Sequence, residues 1–402
     1  MRTIRILQQT IVPLLASIHK KRLESLFWAV SSVIRGNRLS LTAIGRAHRN
    51  VRGGSYGVKH SIKRSDRILG NRKLHREIPL FFYAISQILI GSKKRPVILV
   101  DWTEAGLNHV ALVAALPTDG RALTVYAEVH PVKKNGNAAV QKVFLRKLRT
   151  VMPTGCSPII VTDAGFKTPW FKLVDAMGWD FVGRVRGTCF TRPIKGTKWR
   201  HIKDLFKQAV FKATDLGQWV ISKYNPMWLR LVVIRKKRIK TTIHGTTRAR
   251  KGRNRAMEPW LLATSLNEQT AKTIVDIYAM RMQIEETFRD AKNHRFGWSF
   301  EDAHSTTCER ILVLLLIATL GMLALTLLGQ AAESRNHHLS YQANRIHRRR
   351  RVLSLYFLGK NIIQAGDEYR YTTADLWLSL EQILLKLPVL EKDFASDLVG
   401  IP

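Results

Sequence analysis

The chain has 402 residues, of which 66 are Lys or Arg and 29 are Asp or Glu, so its formal charge is +37. This excess favours a polyanionic partner, with nucleic acid as the first candidate. A hydrophobic fraction of 46% excludes a disordered basic protein, and three cysteines without paired spacing exclude a disulfide framework or a Cys-rich zinc site. We therefore expect a folded protein of a reducing cytoplasm, made without a signal peptide.

The positive charge is concentrated in two blocks. Residues 1–90 carry 17 basic and 3 acidic side chains, and residues 191–260 carry 19 and 3, which gives +14 and +16. A single basic run is usually a solvated surface, but two blocks of this density favour contact with phosphates. We expect binding that weakens steeply as salt rises.

Residues 1–90 are predicted to be helical. Lys21–Ile34 has helical periodicity, and Leu39–Arg46 is typical of a short capped helix of helix-turn-helix size. Because the segment carries +14, we predict a small helical DNA-binding domain. The alternative is a helical cap on the following domain.

The periodicity changes to that of strands between residues 96 and 163. Pro96–Asp101 and Pro158–Asp163 are apolar runs that each end in a carboxylate. Two further strands and the amphipathic helix Asn137–Met152 lie between them, with 118–120 as a hairpin turn. This order predicts a mixed α/β sheet with both carboxylates at one edge.

Three segments follow with distinct patterns. The basic block contains β-like stretches and the polar tract 239–255, which predict an inserted module. One long helix is predicted from about Glu268 to Lys292. Residues 311–329 are uncharged and long enough to span a membrane, but their context favours a buried core helix, and we expect no membrane partner.

Four polar residues share one stripe of the predicted long helix. At about 100° per residue, Tyr278, Arg281, Glu285 and Lys292 fall within about 60° of each other. A solvated salt-bridge stripe is the ordinary interpretation. A stripe that faces a charged ligand is the functional one, and it favours Glu285 over Glu286, which points about 100° away.

These four residues have the spacing Y-x2-R-x3-E-x6-K, and two motifs precede them: V-D-W-T at 100–103 and V-T-D-A-G-F-K-x-P-W-F at 161–171. This combination resembles that of the bacterial DDE transposases of the insertion-sequence-four family. The resemblance implies an RNase H-like (retroviral-integrase-like) α/β fold whose mixed sheet carries a β-rich insertion at 188–258, with helical N-terminal and C-terminal regions. It also implies that Asp101, Asp163 and Glu285 are the catalytic residues and the metal ligands.

The implied chemistry suits these side chains. Carboxylate oxygens favour Mg²⁺, for which Mn²⁺ can substitute, and two such cations about 4 Å apart activate a nucleophile and stabilise a leaving oxygen. Arg281 and Lys292 would hold phosphate, and Tyr278 and Arg289 would add DNA contacts. We expect a Mg²⁺-dependent enzyme that cleaves double-stranded DNA at the terminal inverted repeats of its element and joins the ends to target DNA.

The resemblance also implies association with the nucleoid in the bacterial cytoplasm, a domain organisation and a reaction path. We expect a DNA-binding domain at 1–90, a catalytic domain at 91–330 and a helical region at 331–402 that contributes to a homodimer on DNA. A cut-and-paste path through a hairpin is implied, with Trp199, Trp219 and Trp228 as candidates for stacking on a flipped base. The run 348–351 is a candidate phosphate contact.

Two rival functions remain open on the sequence. A tyrosine recombinase would use an Arg, His347-x-x-Arg350 and one of Tyr356, Tyr369 or Tyr371. A non-catalytic DNA-binding regulator would need no strand-end carboxylates. Metal dependence separates the three, because the recombinase forms a phosphotyrosine bond without metal and a regulator cleaves nothing.

Overall fold

A computed structural model describes residues 1–52, 57–236, 258–295, 297–343 and 350–390, with backbone only for 48–52. The α-helices of these residues are α1 (Arg2–Ile11), α2 (Lys20–Gly36), α3 (Leu41–Arg52), α4 (Val58–Leu69), α5 (Arg72–Ile90), α6 (Ala138–Val151), α7 (Thr168–Ala176), α8 (Ala271–Ala279), α9 (Met282–Lys292), α10 (Cys308–Ser334), α11 (Leu355–Ala365) and α12 (Thr373–Lys386). The strands are β1 (Val97–Glu104), β2 (His109–Pro117), β3 (Ala122–Pro131), β4 (Ile159–Thr162), β5 (Asp180–Val185), β6 (Phe190–Pro193), β7 (Arg200–His201), β8 (Thr214–Ile221), β9 (Met227–Ile234) and β10 (Trp260–Thr264).

The chain forms two compact units. Unit 1 contains Met1–Cys156 and Met282–Val389, and unit 2 contains Ser157–Arg281 together with Leu390. Unit 1 thus holds α1–α6, β1–β3 and α9–α12, whereas unit 2 holds β4–β10, α7 and α8. The boundary at Arg281 separates α8 from α9.

Unit 1 is built on an antiparallel three-stranded sheet in the order β3-β2-β1. Asp101 lies opposite Val113 of β2, and β2 pairs along its whole length with β3. Both faces of this meander are apolar, since nearly every residue of β2 is buried. That pattern is expected for a sheet covered by helices on both sides.

The helix α10 forms the core of unit 1. It is apolar on all faces and contacts β3, α1, α2, α5, α11 and α12. By length and composition it could cross a membrane, and 89% of its apolar window is buried inside the protein. The preferred interpretation as a buried core helix is confirmed.

Two glycines let α10 and α11 cross at backbone contact. A Cβ at Gly329 would lie 1.9 Å from the carbonyl oxygen of Leu355, and one at Gly359 would lie 2.0 Å from that of Leu325. No other residue fits without moving one of the two helices.

Residues 1–52 and 57–90 are mainly helical, as predicted. α2, α3 and α4 contact one another, and the Ser40 hydroxyl accepts a hydrogen bond from the Ala43 amide at the start of α3 (3.4 Å). α4 buries Ser61, Ser65, Ile68 and Leu69, which leaves its other face to solvent.

Unit 2 contains a seven-stranded mixed sheet in the order β4-β5-β10-β9-β8-β6-β7. β4 and β5 are parallel, and every other pair in this sheet is antiparallel. β6–β9 come from the predicted β-rich insertion. Both units together are therefore the mixed α/β structure that was predicted.

Two expectations about local structure were wrong. The strand that begins near Pro96 does not end at Asp101, because β1 continues to Glu104. The helix expected over 268–292 is two helices, α8 and α9. The Arg281 amide bonds the Tyr278 carbonyl three residues back (3.1 Å) instead of continuing the α pattern, and Glu285 in the first turn of α9 stabilises a new helix N-terminus.

Several predictions lie outside the described residues or stay untested. The polar tract 239–255, His347 and residues 348–349 are outside the part of the chain that the structure describes. The division into 1–90, 91–330 and 331–402 remains a prediction.

Candidate functional site

Asp101 lies on β1, an outer strand of the three-stranded sheet of unit 1. Its side chain is half-buried, and its Oδ1 accepts a hydrogen bond from the Trp102 amide at 2.8 Å. Because neighbouring β-residues face opposite sides, Asp101 projects from one face and Trp102 from the other, where Trp102 packs edge-on against His130 at 6.0 Å. The carboxylate is therefore held on a rigid strand and not on a loop.

Glu285 and Lys292 share one face of α9. They are seven residues apart, or about 20° around the helix axis, and both are half-buried. Glu285 lies in the first turn and Lys292 in the last, where each charge is favoured by the helix dipole. This half of the predicted stripe is confirmed as a shared helix face, whereas Tyr278 and Arg281 precede α9.

Lys292 lies in the field of nearby carboxylates of unit 1. Burial lowers the pKa of Lys292, and this effect is opposed by the negative charges of Glu104 and Glu301 and then by that of Asp101. An ammonium group is thus close to Asp101. Glu104 and Glu301 were not predicted from the sequence, because an acidic residue at a strand end or in a short helix has no distinctive spacing.

The hairpin between β2 and β3 binds the opposite face of α9. The Thr118 amide donates to Gln283 Oε1 and the Ala122 amide donates to Thr287 Oγ1, both at 2.8 Å. The Arg121 guanidinium pairs with Asp290 at 2.5 Å, where the Asp290 side chain is only 8% exposed. Hydrogen bonds and an ion pair therefore connect this turn to three successive turns of the helix.

The contacts of this hairpin fix the rotation of α9. Gln283, Thr287 and Asp290 lie about 140–200° around the axis from Glu285. Holding that side against the hairpin points Glu285 and Lys292 away from it. Since β2 pairs directly with β1, the hairpin also links α9 to the strand that carries Asp101.

Unit 2 holds the second predicted aspartate. Asp163 follows β4 directly, and its Oδ1 accepts a hydrogen bond from the Gly165 amide at 2.8 Å. A Cβ at Gly165 would lie 2.9 Å from that oxygen, so a larger residue there would displace the carboxylate from this position. Thr168 and Pro169 then start α7, which fixes the exit of the turn.

Tyr278 lies in a cationic environment in unit 2. It is 2% exposed and packs edge-on against Trp260 at 4.7 Å. Burial raises its pKa, the positive charges of Arg281 and Arg184 oppose this, and the charge of Asp163 reinforces it. Tyr278, Arg281 and Asp163 are thus neighbours in unit 2.

Two further cations were missed by sequence reasoning. Arg184 on β5 lies beside Tyr278, and Lys236 lies over the Trp260 ring at 3.5 Å. Burial lowers the pKa of Lys236, and the charges of Arg184 and Arg281 lower it further. This concentration of positive charge suits the binding of a phosphate. The sequence does not single out either residue, because it contains many other Lys and Arg residues.

The structure separates the remaining candidates by exposure. Arg289 is 61% exposed and pairs with Glu286, so it is accessible to DNA. Trp228 is 67% exposed, whereas Trp219 is buried and Trp199 lies under the Arg192 guanidinium at 5.5 Å. Of the three tryptophans, Trp228 is therefore the most accessible for stacking.

Arg351 was wrongly considered a phosphate contact. Its side chain is 8% exposed and forms ion pairs with Asp119 and with Glu333, the latter at 2.7 Å. The Arg351 guanidinium therefore pairs within unit 1, where it links the β2–β3 hairpin to α10.

The described residues contain no cluster of three or more His, Cys, Asp or Glu side chains placed to hold a metal ion. Asp101 and Glu285 lie in unit 1 and Asp163 lies in unit 2. All three are oxygen donors, which is the donor chemistry of Mg²⁺ and Mn²⁺.

Comparison with known proteins identifies a family. The family model for the transposase DDE domain matches residues 92–322, more than half of the chain and all of the site residues above. That domain has an RNase H-like fold, so the predicted fold class is confirmed. A search of the curated proteins found no match.

Replacing Arg121 by Ala should destabilise the protein by about 3 kcal/mol, because the buried Asp290 carboxylate loses its charged partner. Arg289→Ala on the same helix removes only an exposed ion pair and should cost less than about 0.5 kcal/mol. Urea unfolding of both variants measures the difference. Equal stability of the two variants would show that the hairpin does not hold α9.

Proposed function

The chain belongs to the DDE transposase family, and from that premise we propose that it cleaves the ends of its element and joins the freed 3′-hydroxyls to target DNA. The observation that carries the proposal is that the family match includes three carboxylates on rigid positions: Asp101 on β1, Asp163 directly after β4 and Glu285 on α9. The spacing from Tyr278 to Lys292 supports membership of the insertion-sequence-four group.

Asp101, Asp163 and Glu285 are the residues that would hold the catalytic cations. Their oxygen donors fit Mg²⁺, with Mn²⁺ as a substitute. When bound, two such ions supply an activated attacking oxygen and a stabilised leaving oxygen. The Trp102 amide donates to Asp101 Oδ1 and the Gly165 amide donates to Asp163 Oδ1, and these bonds orient the two carboxylates.

The neighbouring cations of each unit would bind and orient the DNA phosphates. Lys292 is a point charge near Asp101, and Arg281 can bind a phosphate through two nitrogens. Arg184 and Lys236 would extend the phosphate contact in unit 2. Because Tyr278 is buried against Trp260, its role would be to position Arg281 rather than to stack on a base.

Recognition of the element end would fall to the first ninety residues. The solvent face of α4 carries Lys59, Lys63 and Arg67 at four-residue spacing, together with His60. A helix presenting such a row suits the major groove and its phosphates. Since an element has two ends, two protomers would act together, and we propose a homodimer on DNA.

We further propose a cut-and-paste path with a hairpin on the element end. The 3′-hydroxyl freed by the first nick would attack the opposite strand, and hydrolysis would reopen the hairpin before joining. Closing a hairpin requires distorted terminal bases, which an exposed aromatic can stabilise. The 67% exposed Trp228 is the best described candidate.

Changing Asp101 or Asp163 to Asn, or Glu285 to Gln, should reduce end cleavage by roughly 10³-fold or more, since residues that act as one unit fail together. Binding to end DNA should stay near wild type, because it depends on the basic surfaces. Gel assays of cleavage and binding measure both. Asp276→Asn on α8 is the control, and wild-type cleavage by Glu285→Gln would contradict the assignment.

End-labelled substrate should yield a slowly migrating hairpin on a denaturing gel in Mg²⁺. Trp228→Ala should reduce the hairpin yield more than the first nick, because stacking on a base is worth about 1–3 kcal/mol. Trp228→Phe should restore most of the yield. Double-strand cleavage without any hairpin would rule out the path while leaving the transposase assignment intact.

A further inference from the structure

The exposed face of α6 carries a row of cations in a segment without acids. Residues 132–151 contain no Asp or Glu, and their six basic residues are Lys133, Lys134, Lys142, Arg146, Lys147 and Arg149. All six are exposed. This segment lies between the two basic blocks and has no role in the site described above.

Three of these cations form a straight stripe. Lys142, Arg146 and Arg149 fall within about 60° around the axis of α6 and span about 10 Å along it. None of the three makes an ion pair with another residue that the structure describes. The stripe therefore matches about three successive nucleotides of one DNA strand, which rise 3.4 Å each.

The other faces of α6 are firmly attached to unit 1. Phe144, Leu145, Leu148 and Val151 are buried, and the Asn137 side chain caps the first turn with bonds of 3.0 and 3.1 Å. Lys147, which points away from the stripe, pairs at 2.9 Å with the buried Glu128. The stripe is thus presented by a rigid helix.

The uncompensated repulsion within the stripe indicates a polyanionic partner. Lys142 and Arg146 are four residues apart and Arg146 and Arg149 three apart, spacings at which like charges destabilise a helix. Some exposed helical cations elsewhere in the chain pair with acids, as Lys272 does with Asp276 at 2.7 Å. A bound phosphate backbone would remove the repulsion.

Apart from its three cations, the exposed face of α6 has no side chain placed to read bases. On the described helix α6, Gln141 is buried, Thr150 donates to the Lys147 carbonyl at 2.8 Å, and the other exposed positions are Ala138, Ala139 and Val143. Phosphate contacts without base contacts position DNA but carry no sequence information. Such a surface suits a duplex that is accepted with little regard to sequence, and not an element end.

We propose that Lys142, Arg146 and Arg149 bind the phosphate backbone of the target duplex. The proposal rests on the proposed function in one respect, the existence of a target into which ends are joined. Binding of a duplex by the stripe itself does not depend on catalysis.

The test compares two triple variants of the full chain. One replaces Lys142, Arg146 and Arg149 by Gln. The control replaces Lys272, Arg335 and Arg370 by Gln, which removes the same charge from exposed, ion-paired positions. Affinity for a labelled duplex of arbitrary sequence is measured by fluorescence anisotropy between about 50 and 200 mM salt.

The slope of log affinity against log salt is negative, and in the stripe variant its magnitude should fall by about 2.7, at about 0.9 for each lost phosphate contact. The control should keep the wild-type slope, and exchanging the stripe residues between Lys and Arg should keep it too. A slope equal to the control's overturns the proposal. Thermal unfolding should be unchanged or slightly raised for the stripe variant, because the repulsion is gone.

A second arm distinguishes the target from the element end. Binding to the inverted repeat that flanks the gene, in excess competitor of arbitrary sequence, should be unaffected by the stripe variant. An equal loss of affinity there would assign the stripe to the end and overturn the proposal. If the wild-type protein does not cleave end DNA, the proposed function is refuted. The salt slope would still show whether the stripe binds a duplex.

Discussion

The attachment of α9 to the β2–β3 hairpin is the constraint on which the site in unit 1 depends. Backbone amides of the turn bind Gln283 and Thr287, and Arg121 neutralises the buried Asp290. These polar contacts leave the helix one rotation, because any other would leave a buried carboxylate unpaired. Glu285 and Lys292 acquire their direction from that rotation, and the apolar helix α10 supplies the support behind β3.

The Lys and Arg side chains that the structure describes serve two purposes. Some cations are consumed inside the fold, as where Arg230 pairs with Asp215 at 2.7 Å and donates to backbone carbonyls, or where Arg351 joins Asp119 and Glu333. Others stand in exposed rows on α4 and α6 or cluster around Tyr278. The first kind stabilises the protein alone, whereas the second is repulsive until a polyanion binds.

Much of this arrangement is predictable from local sequence, and the remainder depends on tertiary contacts. The strands that carry Asp101 and Asp163, the buried α10 and the helices of residues 1–90 follow from apolar periodicity. No Gly or Pro lies at the break between α8 and α9, so the sequence predicts one continuous helix and one continuous polar stripe. Arg184, Glu104 and Glu301 were missed because their proximity to site residues is created by packing, while Arg351 was misjudged because its partners Asp119 and Glu333 are distant in sequence.

The central proposal is that Asp101, Asp163 and Glu285 hold the catalytic cations, and iron-directed cleavage of the chain tests it most directly. Fe²⁺ in place of Mg²⁺, with ascorbate and peroxide, generates hydroxyl radicals that cut the backbone beside the bound ion. In the complex of full chain and end DNA, the account predicts cuts next to all three residues, suppressed by excess Mg²⁺. Cuts beside Asp101 and Glu285 without any beside Asp163, or cuts confined to other segments, would contradict it.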